Sequence, residues 1–526
     1  MKHIAITTLF LASLSMGACS NDDGPQITAK DWANTSEYFA STDAPSFGTY
    51  YNPQVGYVGD PMPFYDPVGK EFKIMYLQEF RPNSLTYHPY WCLSTGNAAA
   101  YTSLGELIPT GTTKEMDAAL GTGSTVYNET DHKYYTFYTG HAYDTSVTGG
   151  VREAVMLATS PDFKTWTKEK WFLIMPEGGY SVDDFRDPCV FRTDDGSYHM
   201  IVSTKRNGKG TLAEYVSSNL RDWTPAGDFM TMMWDRFYEC PDVFKMGDWW
   251  YLIYSEQHSA LRKVQYFKGR TLDELKACTR DDAGLWPDSH EGFLDSRAFY
   301  AGKTATDGTD RYIWGWCPTR AGQDNTNVGG AEPEWAGALV AHKIIQHEDG
   351  TLTLGPVPAI IDKISHTVEV KVMDQEGDIK IADGQYILSG YSHVLFNRLS
   401  YENNIEFTVT VSNPGDKFGV SFTRGSDSSK FISLIVNPEG EGRRKINFEQ
   451  EGPEGIGFIG NADGYVFDAP ADGLYHVRIL TDNSVCTMYI NDVACQTSRI
   501  YGIQKNCWSI NSYDGTITVT GLSVKN

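Results

Sequence analysis

The sequence predicts an all-β protein: a five-bladed β-propeller followed by a C-terminal β-sandwich. Three observations predict it. Short aromatic-rich strands, punctuated by Gly, Asp and Pro turns, run from about residue 50 to 345 with little sustained helical periodicity. Within that span a unit of roughly 50–60 residues recurs five times. After about residue 366 the unit disappears and plain period-two alternation takes over.

The elements follow in chain order. Lys2 and His3 form a basic start, Ile4 to Leu14 is apolar, and Met16-Gly17-Ala18-Cys19 follows. This is the outline of an export signal, and the apolar run is too short to cross a bilayer as a helix. It resembles the lipoprotein signals of Bacteroidetes surface proteins, except for methionine where a lipobox usually begins with leucine. The resemblance implies that residues 1–19 are a signal with Cys19 lipidated. The protein would then be exported and membrane-anchored as an outer-membrane lipoprotein, at the cell surface or in the periplasm. A plain cleaved signal is the alternative. Residues 20–50 are polar and read as a tether and entry segment.

Residues 51–355 carry the repeat. Its five openings are Asp60 to Tyr76, Gly123 to Tyr138, Asp187 to Val202, Glu239 to Tyr254 and Ser296 to Trp316. In each, a first strand ends in an aromatic, a polar turn follows, and an aromatic strand returns. Later in the unit Ala158 to Thr167 (ATSPDFKTWT) matches Val216 to Thr224 (VSSNLRDWT), with a weaker copy from Leu93 to Tyr101. Five units of this kind fit five blades of antiparallel strands; an irregular β-sandwich with chance repeats is the competing reading. Thr271 to Leu275 reads as one short helical turn. Gly350 to about Ser365 reads as a closing strand and connector.

From 366 to 526 the expected strands are Thr367–Val372, Phe407–Val411, Phe431–Val436, His476–Leu480 and Thr516–Val519, an antiparallel sandwich. No carboxylate recurs there at a repeated position, so it reads as a supporting domain.

Composition excludes some functions. The net charge of −23 argues against nucleic acid, whose phosphates need positive charge. Aromatics make up 13% of the 526 residues, which suits sugar-stacking faces but also an ordinary β-rich core. The cysteines beyond Cys19 form no CxxC pair and no zinc-like cluster. Cys486 and Cys495 are close enough in sequence to form one disulfide.

One local device occurs three times: Tyr57–Phe64 (YVGDPMPF), Phe185–Phe191 (FRDPCVF) and Tyr238–Phe244 (YECPDVF). Each sets a carboxylate just ahead of a proline and an aromatic three residues beyond it. Asp60, Asp187 and Glu239 are read as equivalent positions of three blades, facing one another across a central funnel. Clustered like charges push at least one pKa upward. Glycoside hydrolysis needs that split, with one carboxylate ionised and another protonated. The bland reading, that Asp-Pro pairs merely start strands, fits one such pair better than three in register.

These motifs resemble those of glycoside hydrolase family 32, the β-fructosidases. That family carries Asn-Asp-Pro-Asn, Arg-Asp-Pro and Glu-Cys motifs. Here they correspond to Gly59-Asp60-Pro61-Met62, Arg186-Asp187-Pro188 and Glu239-Cys240. The resemblance implies Asp60 as nucleophile, Glu239 as acid/base and Asp187 as transition-state stabiliser. It also implies sugar contacts from Gln78, Trp91, Gly123 and Ser124 of the Thr122-Gly123-Ser124 turn, and Arg186. Core packing for Trp91 and a salt bridge for Arg186 are the bland alternatives, and Asp242 and Trp316 read as structural. Both flanking asparagines are absent, replaced by Gly59 and Met62, so the site is expected to be widened, retuned or weakened.

Family 32 enzymes retain configuration, which sets nucleophile and acid/base about 5–5.5 Å apart. An inverting arabinanase or xylosidase of the family 43 kind would hold its carboxylates roughly 6.5–9.5 Å apart. A glycan-binding lipoprotein on an inactive hydrolase scaffold is a third reading. The expected partner is an oligo- or polysaccharide. No cofactor, metal or protein partner is implied.

Overall fold

The computed structural model describes residues 47–80, 88–232, 235–256, 263–278, 292–320, 333–424, 427–451, 457–458, 464–500, 503 and 506–526. The expected export signal with Cys19, and the tether up to residue 46, lie outside the described residues.

The first half is a ring of blades. Blade one is β1 (Tyr57–Asp66), β2 (Glu71–Glu79), β3 (Tyr90–Thr95) and β4 (Thr102–Ile108). Blade two is β5 (Ala119–Asn128), β6 (Lys133–His141), β7 (Glu153–Ser160) and β8 (Thr167–Lys168). Blade three is β9 (Tyr180–Arg192), β10 (Tyr198–Arg206), β11 (Lys209–Ser217) and β12 (Thr224–Thr231). Blade four shows β13 (Tyr238–Met246), β14 (Trp249–Glu256) and β15 (Val264–Gly269) among the described residues, followed by helix α1 (Leu272–Lys276), capped by the Thr271 hydroxyl. Blade five is β16 (Tyr300–Thr306), β17 (Arg311–Arg320), β18 (Pro333–Gln346) and β19 (Leu352–Gly355), after which comes helix α2 (Pro358–Lys363).

Each blade is an antiparallel meander stepping outward from the axis. Its second strand reads as a continuous apolar run, because it is covered on both faces by neighbouring blades. Aromatic pairs fill those gaps: Phe72 against Trp314, Phe137 against Trp223 and Phe191 against Trp250, with ring centroids 5.3, 5.4 and 6.1 Å apart. The ring closes where β1 pairs β18 through Val58 and Gly337, and where Tyr51 bridges Leu339. Gly337 has to be glycine: a Cβ there would lie 1.8 Å from the Cys317 carbonyl oxygen.

The matched segments late in the unit are one turn used repeatedly. Asp162 Oδ1 accepts the N–H groups of Lys164 and Thr165, and Asn219 Oδ1 those of Arg221 and Asp222. The following residues, Phe163 and Leu220, are left-handed, at φ 61° and 64°. The weaker copy keeps the idea with Thr95 Oγ1 accepting from the Ala98 N–H and Ala98 at φ 58°.

The innermost strands share a second device. Each carries one extra residue relative to its partner: at Gly59–Met62, Gly121–Gly123, Arg186–Cys189, Glu239–Asp242 and Tyr300–Lys303. In four of them the second residue of the bulge has positive φ: Asp60 28°, Asp187 57°, Cys240 49° and Ala301 54°. The third residue is Pro61, Pro188, Pro241 or Gly302. Aligned on the bulge, Asp60 and Asp187 are equivalent, but Glu239 is not their counterpart. Cys240 holds that position, and Glu239 stands one residue earlier, level with Arg186 and Tyr300. The sequence reading of three equivalent acids is corrected by that one step.

From β20 onward a second unit begins. Its strands are β20 (Thr367–Val368), β21 (Val372–Ala382), β22 (Gln385–Phe396), β23 (Glu402–Val411), β24 (Phe418–Arg424), β25 (Asp427–Gly440), β26 (Arg443–Glu451), β27 (Gly457–Phe458), β28 (Tyr465–Asp468), β29 (Leu474–Asp482), β30 (Val485–Ile490), β31 (Ala494–Arg499), β32 (Trp508–Ser512) and β33 (Thr516–Lys525). Among the described residues they form one continuous antiparallel system that folds over its own apolar core of Val, Ile and Phe, a β-sandwich. The strand expected over Thr367–Val372 is broken. The Asn397 side chain donates to the Glu369 carbonyl and accepts the Lys371 N–H, taking backbone groups that a strand ladder would use. Cys486 and Cys495 are free thiols; Cys486 lies opposite Ser498 and Cys495 opposite Tyr489, so no disulfide joins them.

Leu480, Val485 and Tyr489 of the sandwich pack into the propeller core. A fully buried polar knot crosses the same boundary. Asp295 Oδ1 accepts the N–H groups of Ser296 (2.6 Å) and Thr497 (2.7 Å), and its Oδ2 accepts the Thr497 hydroxyl (2.5 Å). His342 Nε2 lies 3.3 Å from Asp295 Oδ2, and its Nδ1 bonds the Tyr489 hydroxyl at 2.8 Å. Asp295, His342 and Cys495 have metal-like chemistry, but these atoms already bond one another and their neighbours.

Candidate active site

At the propeller axis lies a cavity of about 590 Å3 lined by Asp60, Asp187 and Glu239, with Arg186, Tyr300 and Trp335 among its other walls. Acids far apart along the chain meet because β1, β9 and β13 each present a bulge to the axis. The proline at the third position of each of these three bulges has its φ fixed by its ring and holds the turn.

Asp60 is held from two sides. Its Oδ1 accepts from Trp316 Nε1 at 2.9 Å and its Oδ2 from the Thr122 hydroxyl at 3.0 Å. Burial pushes its carboxyl above the usual range; those two donors pull it back, and the Glu239 charge adds to the rise.

Asp187 donates its N–H to Thr139 Oγ1 (2.8 Å) and accepts the Cys240 N–H at Oδ2 (2.9 Å). Burial pushes it up to about 7; Arg186 and the Cys240 N–H pull down, and Glu239 and Asp60 push up. Burial and like charge thus raise both Asp60 and Asp187, the kind of environment that pushes carboxyl groups apart in their affinity for protons.

Glu239 accepts from Arg186 Nη2 at 3.2 Å on Oε1 and from the Tyr300 hydroxyl at 2.5 Å on Oε2. Arg186 Nη1 reaches Asp184 (2.9 Å) and Glu153 (3.3 Å), and the guanidinium lies 4.1 Å from the centroid of the Phe237 ring.

Other residues implicated by sequence lie elsewhere. Gln78 is buried and donates to the Val55 carbonyl at 2.7 Å. Trp91 packs edge-on against Phe80. The Gly123 N–H donates to Met62 Sδ at 3.1 Å, and a Cβ there would lie 2.1 Å from the Phe137 carbonyl oxygen. Ser124 Oγ accepts the Val190 N–H, tying blade two to blade three. None of these four lines the cavity. Asp242 accepts the N–H and hydroxyl of Thr304, a link between blades four and five.

Trp316, Thr122, Tyr300, Glu153 and Trp335 were not implicated in function by sequence. Tyr300 could have been found by aligning bulges, since it stands level with Glu239. Trp335 had no such signal; in the structure it packs on Gly59, where a Cβ would lie 2.3 Å from Trp335 Cη2. The missing asparagine at 59 thus leaves no open space, because an indole fills it. At Met62 the side chain is buried in the blade core. The expectation of a site widened at these two positions is not what the structure shows.

Known proteins agree with this architecture. The model of the glycosyl hydrolases family 32 N-terminal domain matches residues 50–356, and that of the GH32, BT1760-like, C-terminal domain matches residues 350–524. Sucrose-6-phosphate hydrolase of Escherichia coli is 27% identical over 382 residues, covering 69% of this chain and 71% of that protein. An insoluble β-fructofuranosidase isoenzyme of Arabidopsis thaliana is 29% identical over 229 residues, covering 38% of this chain and 37% of that protein, so the chain spans well under half that relative's length. Fructan 1-exohydrolase IIa from Cichorium intybus shares the fold, with a TM-score of 0.70 at 16% identity and coverage of 93% of this chain and 97% of that one. The two family models follow one another from the first blade to the last sandwich strand, and the chain belongs to glycosyl hydrolase family 32.

Proposed function

We propose that the chain hydrolyses β-fructofuranosidic bonds in fructans or smaller fructosides with retention of configuration, Asp60 acting as nucleophile and Glu239 as acid/base. The observation that carries this is the convergence of three carboxyl groups from three blades on one cavity. Trp316 and Thr122 fix the Asp60 carboxylate for attack on the anomeric carbon. Glu239 gives its proton to the departing glycosidic oxygen, and Arg186 and Tyr300 then stabilise the carboxylate left behind. Glu239 next takes a proton from the water that releases fructose from Asp60. Asp187, held by the Cys240 N–H, supports the oxocarbenium-like transition state and sugar hydroxyls.

The names of the relatives support a fructoside over the arabinan of family 43. Arg186 is the only lysine or arginine among the described lining residues, and three carboxylates already engage it. A neutral sugar therefore suits the cavity better than a phosphorylated one. The deciding experiment is product chromatography on sucrose, inulin, levan and arabinan, with NMR of the first product anomer. Fructose released initially as the β-anomer is expected; arabinose, an inverted product, or binding without release would sink the reading.

Residues 1–19 are read as a lipoprotein signal, on the run Ile4 to Leu14 followed by Met16-Gly17-Ala18-Cys19. Labelled palmitate is expected in the expressed protein and not in Cys19→Ser; an unlabelled soluble parent would refute the anchor.

A further inference from the structure

Arg186 stands between two sets of carboxylates. Its Nη2 faces Glu239, and its Nη1 faces Glu153 and Asp184. Glu153 projects from β7 beside His141, its partner on β6. It is 6% exposed, its Oε1 lies 3.2 Å from His141 Nδ1, and its Oε2 accepts the Phe185 N–H at 2.9 Å as well as Arg186. Among the described contacts it bonds none of Asp60, Asp187 or Glu239.

We propose that Glu153 is a positioning residue: through Arg186 it sets the protonation range in which Glu239 works. This rests on Glu239 being the acid/base. A general acid must carry its proton at rest and lose it in the transition state. An unshared guanidinium beside a carboxyl group favours the ionised form. Glu153 draws on the same guanidinium from the other side, so Glu239 faces a partly neutralised cation. Glu153 is a fixed counter-charge. Burial alone would raise its pKa, but His141, Arg186 and the Phe185 N–H hold it below the usual range. Asp184 adds to the effect from a more exposed position, with 31% of its side chain accessible, where water screens it. Asp187 faces Arg186 from the cavity side. Arg152, next to Glu153 in sequence, turns away to Asp183 at 3.3 Å.

The test is the pH profile of kcat/KM on sucrose or levan, whose basic limb reports loss of the proton from the essential acid of the free enzyme. Glu153→Gln keeps shape and removes the charge. Its basic limb is expected to fall by about one pH unit, Glu153→Asp to bring it most of the way back, and Asp184→Asn to move it down by less. A limb that stays in place while activity drops evenly at every pH, or that moves up, overturns the proposal. If Glu153→Gln does not fold, an unmoved limb in Asp184→Asn overturns it equally. Glu239→Gln separates the two claims. If it keeps activity and the basic limb, the acid/base assignment fails and the proposal with it. If it removes them while Glu153→Gln leaves the limb in place, only the role of Glu153 is refuted.

Discussion

Asp60→Ala is expected to lower kcat on sucrose or levan by on the order of 10^4-fold, with the variant still folded. The size follows from the two-step route. Without a carboxylate at the anomeric carbon there is no covalent intermediate, and an oxocarbenium ion would have to be met by water in a cavity shaped for another nucleophile. Glu239→Ala is expected to fall as far on natural substrates but to differ on an activated aryl fructoside. A good leaving group needs no proton, so the fructosyl-enzyme still forms, and azide can take the place of the activated water. Azide should therefore yield β-fructosyl azide with Glu239→Ala, by displacing Asp60 from the fructosyl-enzyme, and only the inverted α-azide with Asp60→Ala, by a single displacement of the leaving group. Loss of less than about tenfold at Asp60 would refute its role, and β-azide from Asp60→Ala with α-azide from Glu239→Ala would exchange the two roles. Scanning calorimetry on each variant separates lost chemistry from lost fold, since removing Asp60 also frees Trp316 Nε1 and the Thr122 hydroxyl.

Much of the architecture was legible because it repeats. A proline and an aromatic at fixed offsets mark three of the five bulges, so three acids could be sent to one axis from letters alone. The one-residue error at Glu239 arose from the same cue: proline aligns across the blades, but in blade four cysteine stands before it and the acid one step earlier. Partners supplied by another blade left no local signature. Trp316 reaches Asp60 from blade five, and Tyr300 reaches Glu239 from the next blade along. Nothing near Asp60 or Glu239 in sequence announces either residue. Gln78 and Ser124 show the converse: both are polar and close to the motifs, yet Gln78 donates to the Val55 carbonyl and Ser124 accepts the Val190 N–H. In the sandwich, alternation marked Phe407–Val411, Phe431–Val436, His476–Leu480 and Thr516–Val519, which lie in β23, β25, β29 and β33, but not the break after Val368, because the cause is the side chain of Asn397, just past β22.

The knot at Asp295 carries the other large effect, on stability. Its carboxylate is fully buried and accepts from Ser296, from the Thr497 backbone and from the Thr497 hydroxyl, with His342 alongside. Asp295→Ala would leave those donors buried without an acceptor, at about 1–3 kcal/mol for each one stranded. Because Thr497 belongs to the sandwich and Ser296 to the propeller, the loss falls on the boundary between them. Scanning calorimetry should show the parent melting as one unit and Asp295→Ala melting earlier, with the sandwich and propeller transitions separated. Asp295→Asn retains one acceptor oxygen for the two N–H groups and should lose less. If Asp295→Ala melts within a degree of the parent in a single transition, the knot does not hold the two units together, and the apolar contact of Leu480, Val485 and Tyr489 with the propeller core suffices.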